Sequence, residues 1–462
     1  MIKPIHIAVR REMFVDDYLI DRMTHAAVRL AHPERHEVVM VGDAPWEDTT
    51  FGALSLVQTA DSVRLYYRAA IPDLKDESVS IIAMAESTDG GRSFQRPDLG
   101  LVEFNGSKHN NILWRGGDPG VPVAFLDTRP GCPPEARYKG LSAKWAKVNA
   151  LCSADGLRWR LMQNEYLKMD GTFDTINTAF WDSIAHCYRC FTRMFTDPAT
   201  GKPYPVEGIH WGIAIRAIQT STSPDFVNWT HVQPLQYRDG DLVTQMYTND
   251  IIPCPGAEHI YVGFPNRFMQ ERANVRDASI KGMNDALFMC SRDGVTWTRY
   301  REAWVRPGLD QRNWTHRNNY PAWGIIRTSE DEWSMLISEH YMQPDKTPCR
   351  LRRLVIRPWG FASLSSDYKG GEVITHPLIF GGNELRLNYS TSAAGSVMVE
   401  IQDEAGKPVD GFSLADMAPV FGDKLDAVIT WKTGGDLSRL KGRSVRFRFV
   451  LQDADIFALR TA

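Results

Sequence analysis

A short motif recurs four times along the chain at nearly constant spacing, and this repeat constrains the fold more than any other feature. Its copies are STDGGRSF, SADGLRW, STSPDFVNW and SRDGVTWTRY, which begin at Ser87, Ser153, Ser221 and Ser291. Roughly 70 residues separate each copy from the next. A repeat of this length indicates a supersecondary unit that occurs several times, and the position of a residue within that unit bears on its role.

Each copy of the motif is typical of a β-hairpin turn, in which Asp and Gly close the turn and Gly supplies the positive φ. Strand-like runs precede each copy, for example DIIPCP, HIYVGFPNRF and ALFMC before Ser291. Each unit therefore contains three strands, the turn and a fourth strand, and four-stranded units repeated radially form a β-propeller. Five blades fit the sequence, approximately at residues 45–100, 105–165, 170–235, 243–302 and 312–364.

The two ends of the chain differ from the repeat. The segments FVDDYLI and AVRLAHP near the N-terminus are predicted to close the ring or to run along its edge. After residue 365, alternating runs such as ELRLNYSTS and SVMVEIQD predict an antiparallel β-sandwich. The sequence thus predicts an all-β protein with a five-bladed β-propeller catalytic domain at 1–364 and a C-terminal β-sandwich at 365–462.

Composition restricts the partners. The formal net charge is −3, which argues against a nucleic-acid partner because phosphate binding needs a dense basic surface. No apolar run approaches the length of a bilayer span, and the N-terminal apolar stretch is too short for a secretory signal. The seven cysteines are scattered, which fits a reducing compartment. We therefore expect a cytoplasmic protein that needs no cofactor and no metal; its oligomeric state stays open.

The repeated turn lies at one end of each blade, so its aspartates are interpreted as structural. The residues before the first strand and at the end of the second strand converge on the opposite mouth, and many of them are polar, which favours a ligand site. Those before the first strands are Trp46, Glu47, Asp48, Asn111, Asp174, Asn177, Tyr247, Asn249 and Arg317. Those at the ends of the second strands are Arg68, Arg193, Arg267 and Glu339, with His340 beside the last.

These residue types suit sugar chemistry. Aromatic faces stack on a sugar ring, whereas Asn, Arg and Asp bind its hydroxyl groups. Glycoside hydrolysis needs one carboxylic acid to protonate the leaving oxygen and a second carboxylate to attack or to activate water. Glu47, Asp174 and Glu339 are the candidate catalytic residues, and the remaining residues of the two sets are candidates for substrate binding. The structural alternatives are that Glu47 caps a turn and that Glu339 pairs with Arg267 or Arg317.

The predicted architecture and several short motifs resemble a known family of enzymes. A five-bladed propeller followed by a β-sandwich is similar to the glycoside hydrolases of the invertase and arabinanase type, families 32, 43 and 68. FVDDYLI, PWE, FDTINTAFWD and the Gly-Phe-x-Ser-Leu sequence that starts at Gly360 resemble a family-32-like bacterial group. The resemblance covers nearly the whole chain and implies transfer or hydrolysis of a glycosyl unit. The invertase motifs WMNDPNG, RDP and EC are absent.

Three functions remain open from the sequence. The first is a glycoside hydrolase that releases a terminal sugar from an oligosaccharide or glycoside. The second is a glycoside phosphorylase on the same scaffold, in which arginines hold phosphate in place of water. The third is a carbohydrate-binding propeller without catalysis. Arg68, Arg193 and Arg267 would suit an anionic group such as a uronate, sulfate or phosphate, or else form ion pairs with the candidate carboxylates.

Overall fold

The computed structural model describes residues 3–72, 80–117, 120, 122–173, 175–204, 209 and 212–462. The described chain is all-β and contains no α-helix, in agreement with the predicted fold class. It forms two compact units. The first unit comprises residues 1–32, 255–257 and 357–462, and the second comprises 33–254 and 258–356. Short 3-10 helices lie at Pro134–Ala136, Gln311–Asn313, Leu414–Asp416 and Ser438–Leu440.

The described residues of the second unit form six hydrogen-bonded sheets; we group two of them as sheet 4 and number the resulting five groups in chain order. Sheets 1 to 3 each hold four strands that follow one another in sequence and pair antiparallel. Sheet 1 contains Gly52–Gln58, Val63–Ala70, Ser80–Ser87 and Ile112–Gly116. Sheet 2 contains Val123–Leu126, Tyr138–Lys144, Lys147–Ser153 and Arg160–Leu161. Sheet 3 contains Thr178–Asp182, Cys187–Thr196, Ile215–Ser223 and Gln233–Pro234.

Sheets 4 and 5 are less regular. Sheet 4 combines two separately hydrogen-bonded ladders; strand pairing is interrupted between Gly263 and Asn266, where Pro265 has no amide hydrogen to donate. One ladder contains Gln236–Tyr237, Ile252–Cys254, Ala257–Gly263, Met289–Ser291 and Thr296–Arg299. The other contains Gln245–Met246, Asn266–Ala273 and Lys281–Ala286. Sheet 5 contains Tyr320–Pro321, Ile326–Arg327, Trp333–Glu339, Arg350–Ile356 and, from the N-terminal side, Glu34–Val41.

Contacts between sheets close a cycle. The first strand of sheet 2 contacts the first strands of sheets 1 and 3, sheet 3 contacts sheet 4, sheet 4 contacts sheet 5, and sheet 5 contacts sheet 1. The pairing of Glu34–Val41 with Arg350–Ile356 joins segments about 310 residues apart in sequence. Buried aromatic and aliphatic side chains fill the space between neighbouring sheets, for example Phe125, Phe226 and Trp323. Radial repetition of sheets is the arrangement that the sequence repeat predicts.

The repeated turns have one common hydrogen-bond pattern. In the turn at Ser153, the serine Oγ donates to Asp155 Oδ1 at 2.9 Å and accepts from Gly156 N, and Asp155 Oδ1 accepts two further amides. The turns at Ser87, Ser223 and Ser291 pair serine with aspartate in the same way. The third copy therefore begins at Ser223, two residues later than the motif suggested, and Phe226 occupies its glycine position with φ 72°. These contacts are local, which supports a structural role for the motif.

The described residues of the first unit form one sheet of ten hydrogen-bonded strands. Two 18-residue strands, Leu385–Gln402 and Ser444–Thr461, pair along most of their length, and a core that includes Phe447, Phe449 and Trp431 packs against them. One strand pair, Ile5–Ala8 with Leu378–Phe380, is parallel. The antiparallel β-sandwich stays a prediction. The other strands are Glu12–Met13, Ile20–Thr24, Ala27–Leu30, Ala362–Ser366, Gly371–Thr375 and Asp423–Val428.

The N-terminal segment differs from its predicted place. Strand Ala27–Leu30, from AVRLAHP, pairs with Ala362–Ser366 in the first unit, and only Glu34–Val41 joins the five sheets. Pro33 separates the two strands and cannot donate to a ladder, so pairing changes there. The compact units group residues 1–32 with 357–462, and the assignment of 1–364 and 365–462 to two domains stays a prediction. Within the described ranges, no helix has the length and apolar character needed to cross a membrane.

Candidate active site

A cavity of about 500 Å³ lies within the five-sheet unit. Its wall combines aromatic rings with small polar groups and positive charges. Trp145, Phe173, Tyr247, Tyr320 and Tyr341 supply the rings. Among the lining residues that the structure describes, the charged ones are Arg68, Lys144 and Arg317, and none is a carboxylate. A concave, partly apolar pocket with a few convergent polar groups is the usual form of a small-molecule site.

Two arginines of the wall share one tyrosine. The guanidinium carbon of Arg68 lies 5.9 Å from the centre of the Tyr341 ring, and that of Arg317 lies 5.7 Å from it. Arg317 also donates from Nη1 to the Tyr341 hydroxyl at 3.0 Å, and Arg68 donates from Nε to the Thr50 carbonyl at 3.1 Å. These contacts hold both guanidinium groups at the same corner of the cavity, which we call the arginine corner (Arg68, Arg317 and Tyr341).

Arg317 has an unusual backbone. Its φ is 56°, and its amide donates to Asn284 Oδ1 at 2.7 Å. A left-handed conformation is uncommon for a residue with a long side chain and persists only where the surroundings impose it. Positive φ also occurs at Trp145 and at both neighbours of Tyr341, namely His340 and Met342. Two lining residues, Trp145 and Arg317, thus have positive φ, as do other residues elsewhere in the described chain.

Tyr247 lies in a strongly positive environment. The guanidinium carbons of Arg193 and Arg216 are 5.3 and 5.2 Å from its ring centre. Burial by itself would raise the pKa of the Tyr247 phenol, but the charges of Arg317, Arg193 and Arg216 lower it below its usual value of 10. The cavity therefore favours negative charge on groups that enter it.

Lys144 and Trp145 stand at the end of the second strand of sheet 2, in the turn before Lys147–Ser153. The sequence analysis did not name them, although its own rule for the ends of second strands covers this position. It also missed Tyr320 and Tyr341, which follow the polar run at Asn318 and the strand that ends at Glu339. Applying the rule to every sheet would have found Lys144 and Trp145.

Four of the predicted site residues line the cavity together: Arg68, Asn177, Tyr247 and Arg317. Asn177 is held by two bonds from its Nδ2 to the carbonyls of Phe173 and Thr175, and its Oδ1 has no hydrogen-bond partner among the described residues. The other described candidates do not line the cavity: Trp46, Glu47, Asp48, Asn111, Arg193, Asn249, Arg267, Glu339 and His340. Asp174 lies outside the described residues, and its chain neighbours Phe173 and Thr175 both line the cavity.

Glu47 is fully buried and fully bonded. Its side chain is 0% exposed and accepts hydrogen bonds from Tyr67 at 2.7 Å and from the backbone amide of Ala44 at 3.0 Å. Arg96 binds both of its carboxylate oxygens, at 2.9 and 2.6 Å. All of its acceptor positions face protein donors, so these contacts favour the structural alternative for this residue.

Glu339 faces away from the cavity. Its neighbour Ser338 lines the cavity, and successive side chains of a strand point to opposite faces. The carboxylate of Glu339 is 1% exposed and binds Arg350 at 2.7 Å and Arg352 at 3.0 Å, and Arg35 is 3.8 Å away. It therefore pairs within sheet 5 rather than with Arg267 or Arg317. His340, also buried, contacts Asp310 Oδ2 at 2.7 Å.

Two buried asparagines of the predicted site bond to protein groups: Asn249 connects sheet 4 with sheet 3, and Asn111 bonds within sheet 1. Asn249 donates from Nδ2 to the carbonyls of Ile176 and Phe191, and its Oδ1 accepts from Thr178. Asn111 donates to the Tyr67 hydroxyl and to the Met84 carbonyl. Both side chains satisfy backbone or hydroxyl groups where strands enter the sheets. Their side-chain amides provide hydrogen-bond partners for other buried polar groups, and this structural role explains the two asparagines without a ligand.

The remaining candidates are also engaged elsewhere. Arg267 forms a two-point ion pair with Asp285, the residue directly opposite it on the next strand. Arg193 is buried behind Tyr247, and burial lowers the pKa of its guanidinium to about 10. Asp48 accepts from the amide and hydroxyl of Thr50, and Trp46 packs edge-on against Phe104.

Asp250 is a buried carboxyl directly after the predicted site residue Asn249. It is 1% exposed, and its Oδ2 accepts a 2.8 Å hydrogen bond from Thr248, which lines the cavity. Its Oδ1 has no partner among the described residues. Burial raises the pKa of Asp250 to about 8, so the carboxyl is mostly protonated at neutral pH.

The part of the chain that the structure describes contains no group of three or more His, Cys, Asp or Glu side chains that could hold a metal ion. The lining residues instead offer guanidinium, ammonium, phenol, amide and hydroxyl groups. Such a set can bind hydroxyl groups and negatively charged groups by hydrogen bonds.

Comparisons with known proteins give distant structural similarities only. No family model matches the chain, and no curated protein sequence matches it. The catalytic domain of the Coprinopsis cinerea GH62 α-L-arabinofuranosidase is 9% identical, with 71% of this chain and 97% of that chain covered and a TM-score of 0.44. An N-acetylgalactosamine deacetylase from F. plautii is 11% identical, with 71% and 95% covered and a TM-score of 0.43.

The β-1,2-mannobiose phosphorylase from Listeria innocua is 11% identical, with 71% and 96% covered and a TM-score of 0.39. At these identities and TM-scores the similarities assign neither a family nor an activity to this chain. The case for function therefore rests on the cavity and its residues.

Proposed function

We propose that the five-sheet unit is a five-bladed β-propeller that acts on a glycoside and releases a terminal sugar by hydrolysis. The cavity carries this proposal. Its volume of about 500 Å³ suits one or two sugar rings, and its wall joins Trp145, Tyr247 and Tyr341 with hydrogen-bonding groups. A sugar ring has apolar faces and an edge of hydroxyl groups. Flat aromatic side chains can pack against the faces, and neighbouring polar groups can bind the hydroxyl groups.

Asp174 is the proposed acid/base or nucleophile. Both of its chain neighbours line the cavity, and glycoside hydrolysis needs a carboxyl group at the bond that breaks. Glu47 and Glu339 stay predicted catalytic residues, but their ion pairs with arginine favour a structural role. Arg68, Asn177, Tyr247 and Arg317 are the proposed substrate-binding residues.

A glycoside phosphorylase is the second candidate. The observation that favours it is the set of positive side chains on the wall, because phosphate could occupy the place of the attacking water. A propeller that binds sugar without catalysis is the third candidate. It is favoured by the lack of a carboxylate among the described lining residues.

A turnover screen tests the proposal. The wild type, Asp174→Asn and the surface control Asp331→Asn would be assayed on aryl glycosides and short oligosaccharides, with and without phosphate. We expect sugar release by the wild type and by Asp331→Asn, without a need for phosphate, and a loss of at least 100-fold in Asp174→Asn. A phosphate requirement would support the phosphorylase, and sugar binding without any turnover would support the binding module.

A further inference from the structure

A buried carboxyl group lies directly behind the cavity wall and bonds to it through one hydroxyl group. Thr248 lines the cavity, and Asp250 follows it by two residues and is 1% exposed. Oδ2 of Asp250 lies 2.8 Å from the Thr248 hydroxyl oxygen, whereas Oδ1 has no partner among the described residues. The carboxyl therefore communicates with the cavity through Thr248.

The same spacing of hydroxyl and carboxyl occurs in the repeated turns, but the surroundings differ. In the turn at Ser153, Asp155 accepts hydrogen bonds from two backbone amides in addition to the serine hydroxyl. Asp250 has only the Thr248 hydroxyl within the described residues. A buried carboxylate with a single hydrogen bond is costly, so the neutral carboxyl is favoured, in agreement with a pKa of about 8.

The charged groups of the neighbouring elements do not alter this balance. The side chain of Asn249 bonds to sheet 3, the hydroxyl of Thr248 bonds to Asn266 of sheet 4, and Trp323 bonds to the Ile251 carbonyl. Charged or titratable side chains on these elements include Asp182, Cys190, Arg193, Tyr247, Arg267 and Tyr320. None of them contributes to the raised pKa of Asp250, which burial causes and the Thr248 hydroxyl partly offsets.

The Thr248 hydroxyl can form only a few hydrogen bonds, because a hydroxyl group has one hydrogen and two lone pairs. One lone pair accepts from the backbone amide of Asn266 at 3.0 Å, and the contact with Asp250 occupies a second position. Within the described residues, one position remains for a group in the cavity. The charge state of Asp250 decides whether that position is the hydrogen or a lone pair.

The two charge states of Asp250 orient the hydroxyl in opposite ways. An ionised Asp250 can only accept, so the Thr248 hydrogen points to Oδ2 and a lone pair faces the cavity. A neutral Asp250 protonated on Oδ1 would bury an O–H donor without an acceptor among the described residues. Protonation on Oδ2 avoids this and leaves an unbonded carbonyl oxygen, which is less costly. Oδ2 then donates to Thr248, and the Thr248 hydrogen faces the cavity.

We propose that Asp250 is a positioning residue for sugar binding: when neutral, it makes the Thr248 hydroxyl a hydrogen-bond donor to a sugar oxygen in the cavity, and when ionised, it makes that hydroxyl an acceptor. The inference rests on the proposed function, which it deepens by giving the site a proton-dependent contact with its ligand. Asp250 acts through Thr248, since it does not line the cavity itself. Sugar binding should therefore weaken as the pH rises through the Asp250 pKa of about 8.

Infrared spectroscopy and calorimetry of the full chain test the inference. The infrared measurement, in heavy water at pH 6 and pH 9, records the carbonyl stretch of neutral carboxyl groups, which ionised carboxylates lack. Calorimetric titration at the same two pH values measures binding of D-glucose, D-galactose, D-mannose and L-arabinose. Circular dichroism in the near ultraviolet checks that each variant is folded.

The variants separate the two partners of the contact. Asp250→Asn removes the titratable group, Thr248→Val removes the hydroxyl, and Thr248→Ser keeps it. The matched control is Asp331→Asn, which removes an exposed carboxylate that also bonds to a hydroxyl group two residues before it, on Ser329.

We expect a neutral-carboxyl band at pH 6 in the wild type and in Asp331→Asn that weakens at pH 9 and is missing from Asp250→Asn. Thr248→Val should move this band to higher frequency, because the carboxyl loses its hydrogen-bond partner, and Thr248→Ser should restore it. At least one sugar should bind the wild type about fivefold more weakly at pH 9 than at pH 6. Asp250→Asn and Thr248→Val should each bind that sugar equally at the two pH values.

A wild-type spectrum at pH 6 without a band that depends on Asp250 and Thr248 would overturn the inference. Equal sugar affinity of the wild type at pH 6 and pH 9, or no binding of the four sugars, would also overturn it. So would a pH dependence that persists in folded Asp250→Asn, as titration of the Tyr247 phenol would produce. The turnover screen decides the proposed function separately. Proton-dependent sugar binding without turnover would keep the role of Asp250 and remove the hydrolase, and turnover with pH-independent sugar affinity would do the reverse.

Discussion

The aspartates of the repeated turns and the buried Asp250 belong to the same unit, but they differ in burial, in hydrogen bonding and in the direction of their pKa shifts. In the turns, Asp89, Asp155 and Asp225 each follow a serine by two residues. Partial burial raises the pKa of these carboxyls, but hydrogen bonds from turn amides and hydroxyl groups have the larger effect. The pKa of each is therefore lowered to about 2. Asp250 receives one hydroxyl bond, and burial raises its pKa to about 8. Carboxyls of one type thus receive opposite shifts from their surroundings.

The difference teaches where structure and chemistry lie in this repeat protein. A turn aspartate obtains its donors from the next few residues, so its role depends on local sequence and repeats from sheet to sheet. Asp250 depends on what other strands place around it, and Thr248 connects it to the cavity wall. Asp250, which is not part of the repeated turn, therefore lies next to the candidate site.

The largest expected effect concerns Asp250. Its pKa is about 8 in the folded protein and 3.8 in the unfolded chain, so between these values the folded state holds a proton that the unfolded state lacks. The free energy of unfolding should therefore fall as pH rises from about 4 to about 8. Asp250→Asn should remove this slope and stabilise the protein at pH 7 by about 4 kcal/mol.

Urea unfolding of the wild type and Asp250→Asn at pH 5 and pH 8 measures this effect. Asparagine tolerates the positive φ of this position and keeps an oxygen for the Thr248 bond, so the substitution is conservative. A wild-type stability that does not change between the two pH values would contradict a buried protonated carboxyl and would weaken the contrast with the turns.

A second effect separates structural from catalytic carboxylates. Glu339→Gln leaves Arg35, Arg350 and Arg352 around a neutral group, and we expect a loss of about 3 kcal/mol in the free energy of unfolding. The matched control is Glu86→Gln, whose partly exposed pair with Arg64 should cost less than about 1 kcal/mol.

Equilibrium unfolding in urea compares the two variants, and the turnover screen provides a second measurement. Normal stability of Glu339→Gln together with lost turnover would mean that Glu339 acts on substrate, contrary to its observed pairing. Lower stability with turnover retained at low temperature would support the structural role.

The smallest effect tests the local character of the turns. Ser153→Ala removes the hydroxyl that binds Asp155 and accepts from Gly156, and we expect a loss of about 1 kcal/mol near neutral pH. Ser291→Ala should lower the free energy of unfolding by a similar amount. The double variant should lower it by about the sum of the two single effects, because the turns belong to different sheets. Urea midpoints of the three variants test this, and a loss well beyond the sum would show that the turns are coupled.

Much of the fold was predictable because its signals are local. The Ser-x-Asp-Gly turns, the alternating runs and the near absence of helical patterns predicted an all-β chain with a unit repeated at regular spacing. The rule for strand ends also predicted four residues that line the cavity: Arg68, Asn177, Tyr247 and Arg317. The rule selected these four because a strand end lies at an edge of its sheet, but it also selected nine described residues that do not line the cavity.

The sequence by itself determined the repeat, the turn chemistry and the mouth at which polar groups gather, since each depends on residues a few positions apart. Only the tertiary structure decided which of those groups face the cavity. One step along a strand turns Ser338 inward and Glu339 toward Arg350, and Arg35 reaches Glu339 across about 300 residues of chain. The charge of Asp250 depends on its burial among distant strands, and no local pattern contains that burial.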